Sequence, residues 1–525
     1  MTPLNIINEI TAAFGADMVS VEGYGNRIMV KATLEALPYV TSFITKRYNG
    51  ALATMHAADH LRSDRKAFTI YVVIDIASMD LYVMVEADVP EKPGRYNSLT
   101  PMIHSANWYE REIADMFGLI PVGHPDLRPL VLYDNWPTEF HPLRKDTDGR
   151  PLKVMTEYPY RRVEGEGVFE IPVGPVHAGV IEPGHFRFSV AGEPVINLEI
   201  RMGYVHKGIE KISERMTYSH GVILAERISG DNGMAHATAY CQTIEQIAGI
   251  KIPERADYIR TVFLEMERIY NHLGDVGGIS LDTAYNVGAQ HAYIIRERMM
   301  QLNECVSGSR LLRSINCPGG VRRDLTKDDI SKIRTTLVKA KLDFQDFVGL
   351  VGKEPSIMDR VETTGRLSTE AARSLNVVGP GARASGINRD VRRDHPYAAY
   401  RDLSFVVHVL KEGDVNARMK VKIAETYESM SIIEQALDKI PEGEIRTSLA
   451  EIPPGRTGLS LVESPRGELV HWILSDEGGR PFRHKIRDPS FCNWLAMEQA
   501  TPGNIVPDFP LVNKSFNLSY SGNDL

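Results

Sequence analysis

The stretch 259-IRTVFLEMERIYNHL-273 sets Ile259, Val262, Phe263, Met266, Ile269, Tyr270 and Leu273 at i, i+3, i+4, i+7 intervals, which makes one face of a helix apolar. The spacing predicts a long core helix. Toward the C-terminus, Ile423, Tyr427, Met430, Ile433 and Leu437 repeat the pattern, and Thr326 with Asp329 forms a capping-box start for a helix running to Val351. From Gly455 to Gly479 the period returns to two, with Leu459, Leu461, Leu469 and Val470 among glycines and prolines, so a strand pair is expected there. Toward the N-terminus, FRFSVAGEPVINLEI (186–200) reads as two strands about an Ala-Gly-Glu-Pro turn. TIYVVIDIASMDLYVMVEADV, between Phe68 and Val89, reads as paired strands, and the first 20 residues look helical. The expected class is α+β. A small α/β domain over 1–147 is followed by a linker over 148–168, with Arg144 to Lys153 as a polar connector. A large, mainly helical domain over 169–525 has strands near its start and end. No internal repeat or low-complexity tract interrupts this order.

Composition narrows the function. A chain of 525 residues, 43% hydrophobic and 24% charged, is neither disordered nor collagen-like nor a disulfide scaffold. Sixty basic against 68 acidic residues leave a net charge of -8, with no excess of cations to neutralise phosphates, so nucleic acid is not an expected partner. The cysteines at 241, 305, 317 and 492 form no CxxC pair, which fits a reduced compartment and no cluster bound by this chain alone; Cys241 and Cys492 read as buried small hydrophobes. The N-terminus shows no signal-peptide pattern, and the most apolar run, Tyr71 to Val89, is broken by Asp75, Asp80 and Glu86. A cytoplasmic location follows as an expectation, with membrane association only through partners. No GxGxxG follows a strand, so any NADH chemistry belongs to other subunits.

Two segments crowd chemically active side chains. Trp108 to Asp146 reads as a non-periodic charged loop, a solvated surface or docking face. Gly203 to Cys241 brings His206, Glu210, His220, Glu226, Arg227 and His236 into one partly helical stretch beside a Gly-rich turn. The first segment, through Glu110-Arg-Glu112, Asp115, Phe117-Gly118, His124-Pro-Asp-Leu-Arg128 and Pro142-Leu-Arg-Lys-Asp146, resembles the signature of the small peripheral-arm subunit of respiratory complex I. Residues 170–525 resemble the large quinone-site subunit of complex I and its relative, the large subunit of energy-converting NiFe hydrogenases. The matching pieces are Gly174-Pro-Val-His177, Lys207-Gly-Ile-Glu210, GPGARASGINRDVRRDHPY (379–397), Glu463-Ser-Pro-Arg-Gly467 and Lys485-Ile-Arg487. The fused order is similar to that of the formate hydrogenlyase type.

The departures bear directly on function. Where the resemblance implies ERxCGxCxxxH and DPCxxC motifs with four metal-binding thiolates, this chain has Ser229, Asn232, Ser519 and Gly522. A hydroxyl stays protonated, an amide is neutral and glycine has no side chain, so a NiFe centre is predicted absent. The quinone-binding Tyr of the complex I pattern falls at Gly230, and its His at Glu182 or Pro183, with His177 matching only an earlier His. His185, Tyr218 or Tyr240 could substitute, although each also reads as a satisfied structural residue. The resemblance further implies proton transfer at Glu210, whose pKa burial would raise, against a surface ion pair with Lys207 or Lys211. It places Arg466 and Arg383 beside the cavity, against salt bridges with Asp390 or Glu463. His236, which matches the His after the first cysteine pair, is placed by the resemblance beside the same cavity, and it also reads as buried and hydrogen-bonded. His177, His185, Ser229, Gly230 and Asn232 are the expected acceptor-binding positions.

The resemblance implies an electron-transferring oxidoreductase subunit, active in a complex. It would be peripheral on the cytoplasmic face of the cell membrane, beside an iron-sulfur small subunit and ion-pumping, proton-translocating membrane subunits, as in NADH-quinone oxidoreductases. Reduction of a quinone-like acceptor is the expected chemistry. A non-redox coupling role is the alternative, and an active hydrogenase would need new metal ligands.

Overall fold

The computed structural model describes residues 3–15, 19–24, 26–132, 135–147, 157–177 and 181–525. The fold is α+β, with a strand-rich N-terminal part, a helical body and a sheet near the C-terminus. Strands β1 (Val19–Tyr24), β2 (Arg27–Ala32), β3 (Ala51–Asp59), β4 (Phe68–Ile76) and β5 (Leu81–Val89) form one sheet in the order β1-β2-β5-β4-β3. The β2–β5 pair is parallel and the others are antiparallel. Every residue of β4 is buried, because both faces of the sheet are covered. That is why its sequence is an almost unbroken apolar run rather than an alternation. One covering layer is the sheet Thr457–Ser464, Gly467–Ser475, Pro481–Arg487, whose Leu459, Leu461, Val470 and Trp472 pack on Tyr71, Val73, Tyr82 and Met84.

The helix through Ile259–Leu273 spans Glu254–Asp282 and is almost entirely buried, flanked by Asn286–Ser307 and Val415–Lys439. Lys327–Val351 packs on Asn286–Ser307, and its Thr326–Asp329 capping box is complete in both directions. A reciprocal box of this kind satisfies two helix-end donors at once. A second three-stranded sheet, Val168–Val173, His185–Ala191 and Val195–Arg201, opens the region.

Three local expectations change. The first helix ends at Phe14, and a strand begins at Val19 within the 20 residues expected to be helical. The strand pair near the end has a third member, Pro481–Arg487. Trp108–Asp146 is not a solvated loop throughout: Asn107–Phe117 is a helix with Glu110, Arg111 and Glu112 buried. Glu110 accepts hydrogen bonds from Ser98, Leu99 and Thr100, and Glu112 faces Lys485. Residues 148–156 of the expected linker lie outside the described residues. The connector begins packed rather than free, since Lys145 pairs with Glu214 and its backbone N–H donates to Asp59. Among the described residues no helix is long and apolar enough to cross a membrane.

Candidate functional site

The turn Ser229–Asn232 links helix Tyr218–Ala225 to helix Gly233–Ala248, and the chain end at Ser519–Gly522 folds against it. Ser229 Oγ lies 2.9 Å from Ser519 Oγ and 3.0 Å from Asp231 Oδ1, and the Gly522 N–H donates to Ser519 Oγ. Arg466 grips Asp231 with both terminal nitrogens, at 2.9 and 2.6 Å, and donates to the Asn517 carbonyl. A two-pronged guanidinium–carboxylate pair fixes orientation as well as charge. The Asn232 amide is fully buried, and neither its oxygen nor its nitrogen has a partner. Gly522 leaves room for Asp488, since a Cβ at Gly522 would lie 2.6 Å from the Asp488 Cγ. Asp488 in turn holds His236 Nε2 at 3.0 Å. Ser229, Asn232, Arg466, His236, Ser519 and Gly522, far apart in sequence, therefore meet at one place.

Among the described residues no group of three or more His, Cys, Asp or Glu side chains could hold a metal ion. The four positions at issue carry two hydroxyls, an amide and no side chain, a donor set that does not fit nickel and iron, which are held by soft thiolates. The buried thiols of Cys492 and Cys241 do not repair this. Cys492 Sγ lies against the Tyr109 hydroxyl, and Cys241 is packed among apolar residues with its pKa pushed well up by burial.

Glu210 is a correction. Its carboxylate is buried and meets neither Lys207 nor Lys211; Arg483 sits 2.7 Å from Oε2, Lys485 3.4 Å from Oε1, and the Ile486 N–H donates to Oε1. Burial pushes its pKa up, but Arg483, Lys485 and the backbone donor outweigh burial and hold it at about 2. A carboxylate this acidic stays ionised, contrary to the expected rise toward neutrality. Lys207 instead reaches the carbonyls of Arg227 and Ile228.

Arg383 stands away from the Ser229–Ser519 contact in a buried ion-pair cluster with Glu425 at 2.7 Å, Glu463 at 2.8 Å and Asp390 at 3.5 Å, as the salt-bridge reading had it. That cluster continues through His272 and Glu425, and through Lys422 and Asp275, to Asn517, whose carbonyl binds Arg466. Arg466 itself pairs with Asp231, not with Asp390 or Glu463. His177 Nε2 lies 2.8 Å from the Gly184 carbonyl and His185 Nδ1 3.2 Å from that of Gly174, so both tie down the ends of one loop. His185 Nε2 is buried without a partner. Glu182 accepts from the Ser521 N–H, and Gly230 is exposed, where a Cβ would meet only the Arg313 guanidinium, 4.0 Å away. Tyr218 donates to the Arg480 carbonyl and Tyr240 to that of Tyr218, so both are satisfied structural residues.

Sequence reading missed Asp231, Glu267, Asp488, His471 and His484. Glu267 accepts the Met234 and Ala235 N–H groups at the start of helix Gly233–Ala248, and burial raises its pKa to about 8. A polar residue inside the apolar period of 259–273 was the available signal.

Comparison with known proteins places these features. Residues 30–152 match the family model of the respiratory-chain NADH dehydrogenase 30 Kd subunit, and residues 282–457 and 447–524 match that of the 49 Kd subunit. Formate hydrogenlyase subunit 5 of Escherichia coli is 36% identical over 95% of this chain and 89% of its own length. The C/D subunit of the NADH-quinone oxidoreductase of Phocaeicola vulgatus is 33% identical over 78% of this chain and 82% of its own. In the structure of the membrane-bound sulfane sulfur reductase, an archaeal respiratory membrane complex, one chain superposes with a TM-score of 0.65 and 31% identity, covering 69% of this chain and 99% of that one.

Proposed function

We propose, for a chain that belongs to the family of fused 30- and 49-Kd-type subunits shared by NADH-quinone oxidoreductases and membrane-bound hydrogenases, an electron-transfer role that uses no nickel–iron centre. The observation that carries this reading is the donor set at the converging positions Ser229, Asn232, Ser519 and Gly522. On this reading the chain sits peripherally against the membrane-embedded, ion-pumping part of its complex, on the cytoplasmic face. It receives electrons from an iron-sulfur cluster in an adjoining small subunit and passes them to a quinone-like acceptor near Arg466 and Asp231. Arg466, its charge balanced by Asp231, keeps one further N–H on each terminal nitrogen that a reduced acceptor's oxygen could take. Asn232 offers an unused amide N–H for a quinone carbonyl and an unused oxygen for the hydroxyl of its reduced form.

A second reading, a coupling role without redox chemistry, is favoured by one observation: the buried chain of ion pairs and hydrogen bonds that runs from Arg466 through Asn517, Asp275, His272 and Glu425 to Arg383. Nickel and iron content of the intact complex, per copy of this chain, tests both. Iron without nickel is the expected result. Stoichiometric nickel overturns the absence of the metal centre, and neither metal favours the coupler.

A further inference from the structure

Three buried histidines lie end to end between helix Gly233–Ala248 and the sheet near the C-terminus. His236 Nε2 is 3.0 Å from Asp488 Oδ2, His236 Nδ1 is 3.0 Å from His471 Nε2, and His471 Nδ1 is 3.0 Å from His484 Nε2. The row ends at Ser213 Oγ, 2.7 Å from His484 Nδ1. All three imidazoles are buried, at 0, 0 and 2% exposure for His236, His471 and His484. They come from three segments, helix Gly233–Ala248 and the strands Gly467–Ser475 and Pro481–Arg487.

A neutral imidazole has one N–H donor and one bare nitrogen, so a row of three admits few consistent assignments. Asp488 Oδ2 can only accept while ionised, which makes His236 donate from Nε2. His236 Nδ1 is then bare and takes the His471 Nε2–H; His471 Nδ1 takes the His484 Nε2–H; His484 Nδ1 takes the Ser213 hydroxyl proton. One assignment satisfies every nitrogen, with every donor aimed at Asp488. Charging an inner ring would set two donors face to face. Burial, the largest influence on both, also pushes His471 well below the ordinary histidine range and His484 to about 3. The charged groups facing this end are Glu210, Arg483 and Lys485, and the Tyr240 ring packs on His471 and His484.

The two ends reach useful places. Asp488 abuts Gly522, beside the Ser519–Ser229 contact, and only the missing side chain there gives its carboxyl room. Ser213 closes helix Ile209–Ser213; it is itself buried, at 1% exposure, but lies one residue from the exposed Ile212 and two from the exposed Arg215.

We propose that Ser213, His484, His471, His236 and Asp488 form a proton relay from the buried end of helix Ile209–Ser213, just beneath the exposed Ile212 and Arg215, to the site around Ser519 and Arg466. The relay rests on the reading of that site as a place of proton-consuming reduction. In one passage a hydronium ion entering beside Ile212 and Arg215 gives a proton to Ser213 Oγ and leaves as water, and the hydroxyl's own proton moves to His484 Nδ1. The His484 Nε2 proton moves to His471 Nδ1, the His471 Nε2 proton to His236 Nδ1, and the His236 Nε2 proton to Asp488. One proton enters and one arrives; the rings stay neutral with inverted tautomers, and no electron moves. A quinone-like acceptor that takes two electrons from the iron-sulfur partner takes two such protons to become the hydroquinone. The rings return to their starting tautomers between passages. Relay through positioned side chains is the ordinary use of histidine.

The test uses the intact complex and His471→Gln, whose amide keeps a donor and an acceptor but relays no proton. Turnover with a short-chain ubiquinone should fall at least tenfold and show a larger solvent deuterium isotope effect. Reduction of the iron-sulfur cluster should be unchanged. Turnover within twofold of the parent overturns the relay. Should the parent complex reduce no quinone, the acceptor reading fails by itself, and 15N spectra of histidine-labelled complex decide the relay separately. Three neutral Nε2–H rings at neutral pH are expected. An imidazolium or an Nδ1–H tautomer at any of the three overturns it.

Discussion

Replacing Glu210 by Gln separates an ion-pair role from a proton-carrying one. In the folded chain Arg483 and Lys485 overcome the upward push of burial and hold this carboxyl at about 2, against an ordinary 4.5. At 1.36 kcal/mol per pH unit, that gap corresponds to roughly 3 kcal/mol of folding stability. The sign follows from the depression. Stability from this group is fully present above about pH 4.5, where the unfolded carboxyl is also ionised, and drains away as pH falls toward 2. The substitution Glu210→Gln keeps the shape but not the charge, so the variant should lose about 3 kcal/mol at pH 7, and its deficit should shrink toward zero between pH 4.5 and 2. Lys485 keeps Glu112, and Arg483 keeps the Ala57 carbonyl, so the fold itself should survive. Urea unfolding of the complex at pH 7, 5 and 3, followed by tryptophan fluorescence, measures this directly. Equal stability of parent and variant at pH 7, combined with lost turnover, would refute the ion-pair assignment and restore Glu210 as a proton carrier.

Two further outcomes follow from burial. Lys485→Met strands the Glu112 carboxylate, which burial already pushes upward, and should cost about 3–5 kcal/mol; adding Glu112→Leu should recover part of that in thermal denaturation, the rest belonging to Glu210, and no recovery would show that the Glu112 pair contributes nothing. Asn232→Leu removes two buried, unpartnered polar atoms at similar volume, so stability should stay level or rise by about 1–3 kcal/mol, whereas a drop would reveal a molecule hydrogen-bonded to the amide.

Much of the architecture was legible because it depends on periodicity. The Ile259 spacing and the Thr326–Asp329 pair are local signals, and both elements stand where they were expected. Helix Asn107–Phe117 was hidden because its buried face is charged: Glu110, Arg111 and Glu112 find partners from distant segments, and no window of sequence shows those partners. Strand Pro481–Arg487 was hidden for the same reason, since buried Arg483, Lys485 and Arg487 imitate a polar surface. The convergence of Ser229, Asn232, Ser519 and Gly522 was readable only through the family's motif spacing. His471 and His484 carry no local signature, as their roles depend on side chains 235 and 13 residues away in sequence. For Glu210 the burial was foreseeable, but the sign of its pKa shift depends on two cations more than 270 residues downstream.

Strand Pro481–Arg487 turns alternate residues to opposite sides, as any strand does. Arg483, Lys485 and Arg487 reach Ala57, Glu112 and Ala53 of the N-terminal part, while Arg389 and His395 hold Asp75 from another direction. The covalent join between the two parts is therefore mechanically redundant. Cutting the peptide between them would leave a pair still joined by the Lys485–Glu112, Arg389–Asp75 and His395–Asp75 ion pairs and by arginine hydrogen bonds to the Ala53 and Ala57 carbonyls. What the fusion adds is a strict one-to-one stoichiometry, so that no copy of the helical body is made without the carboxylates that pair with its Lys485, Arg389 and His395.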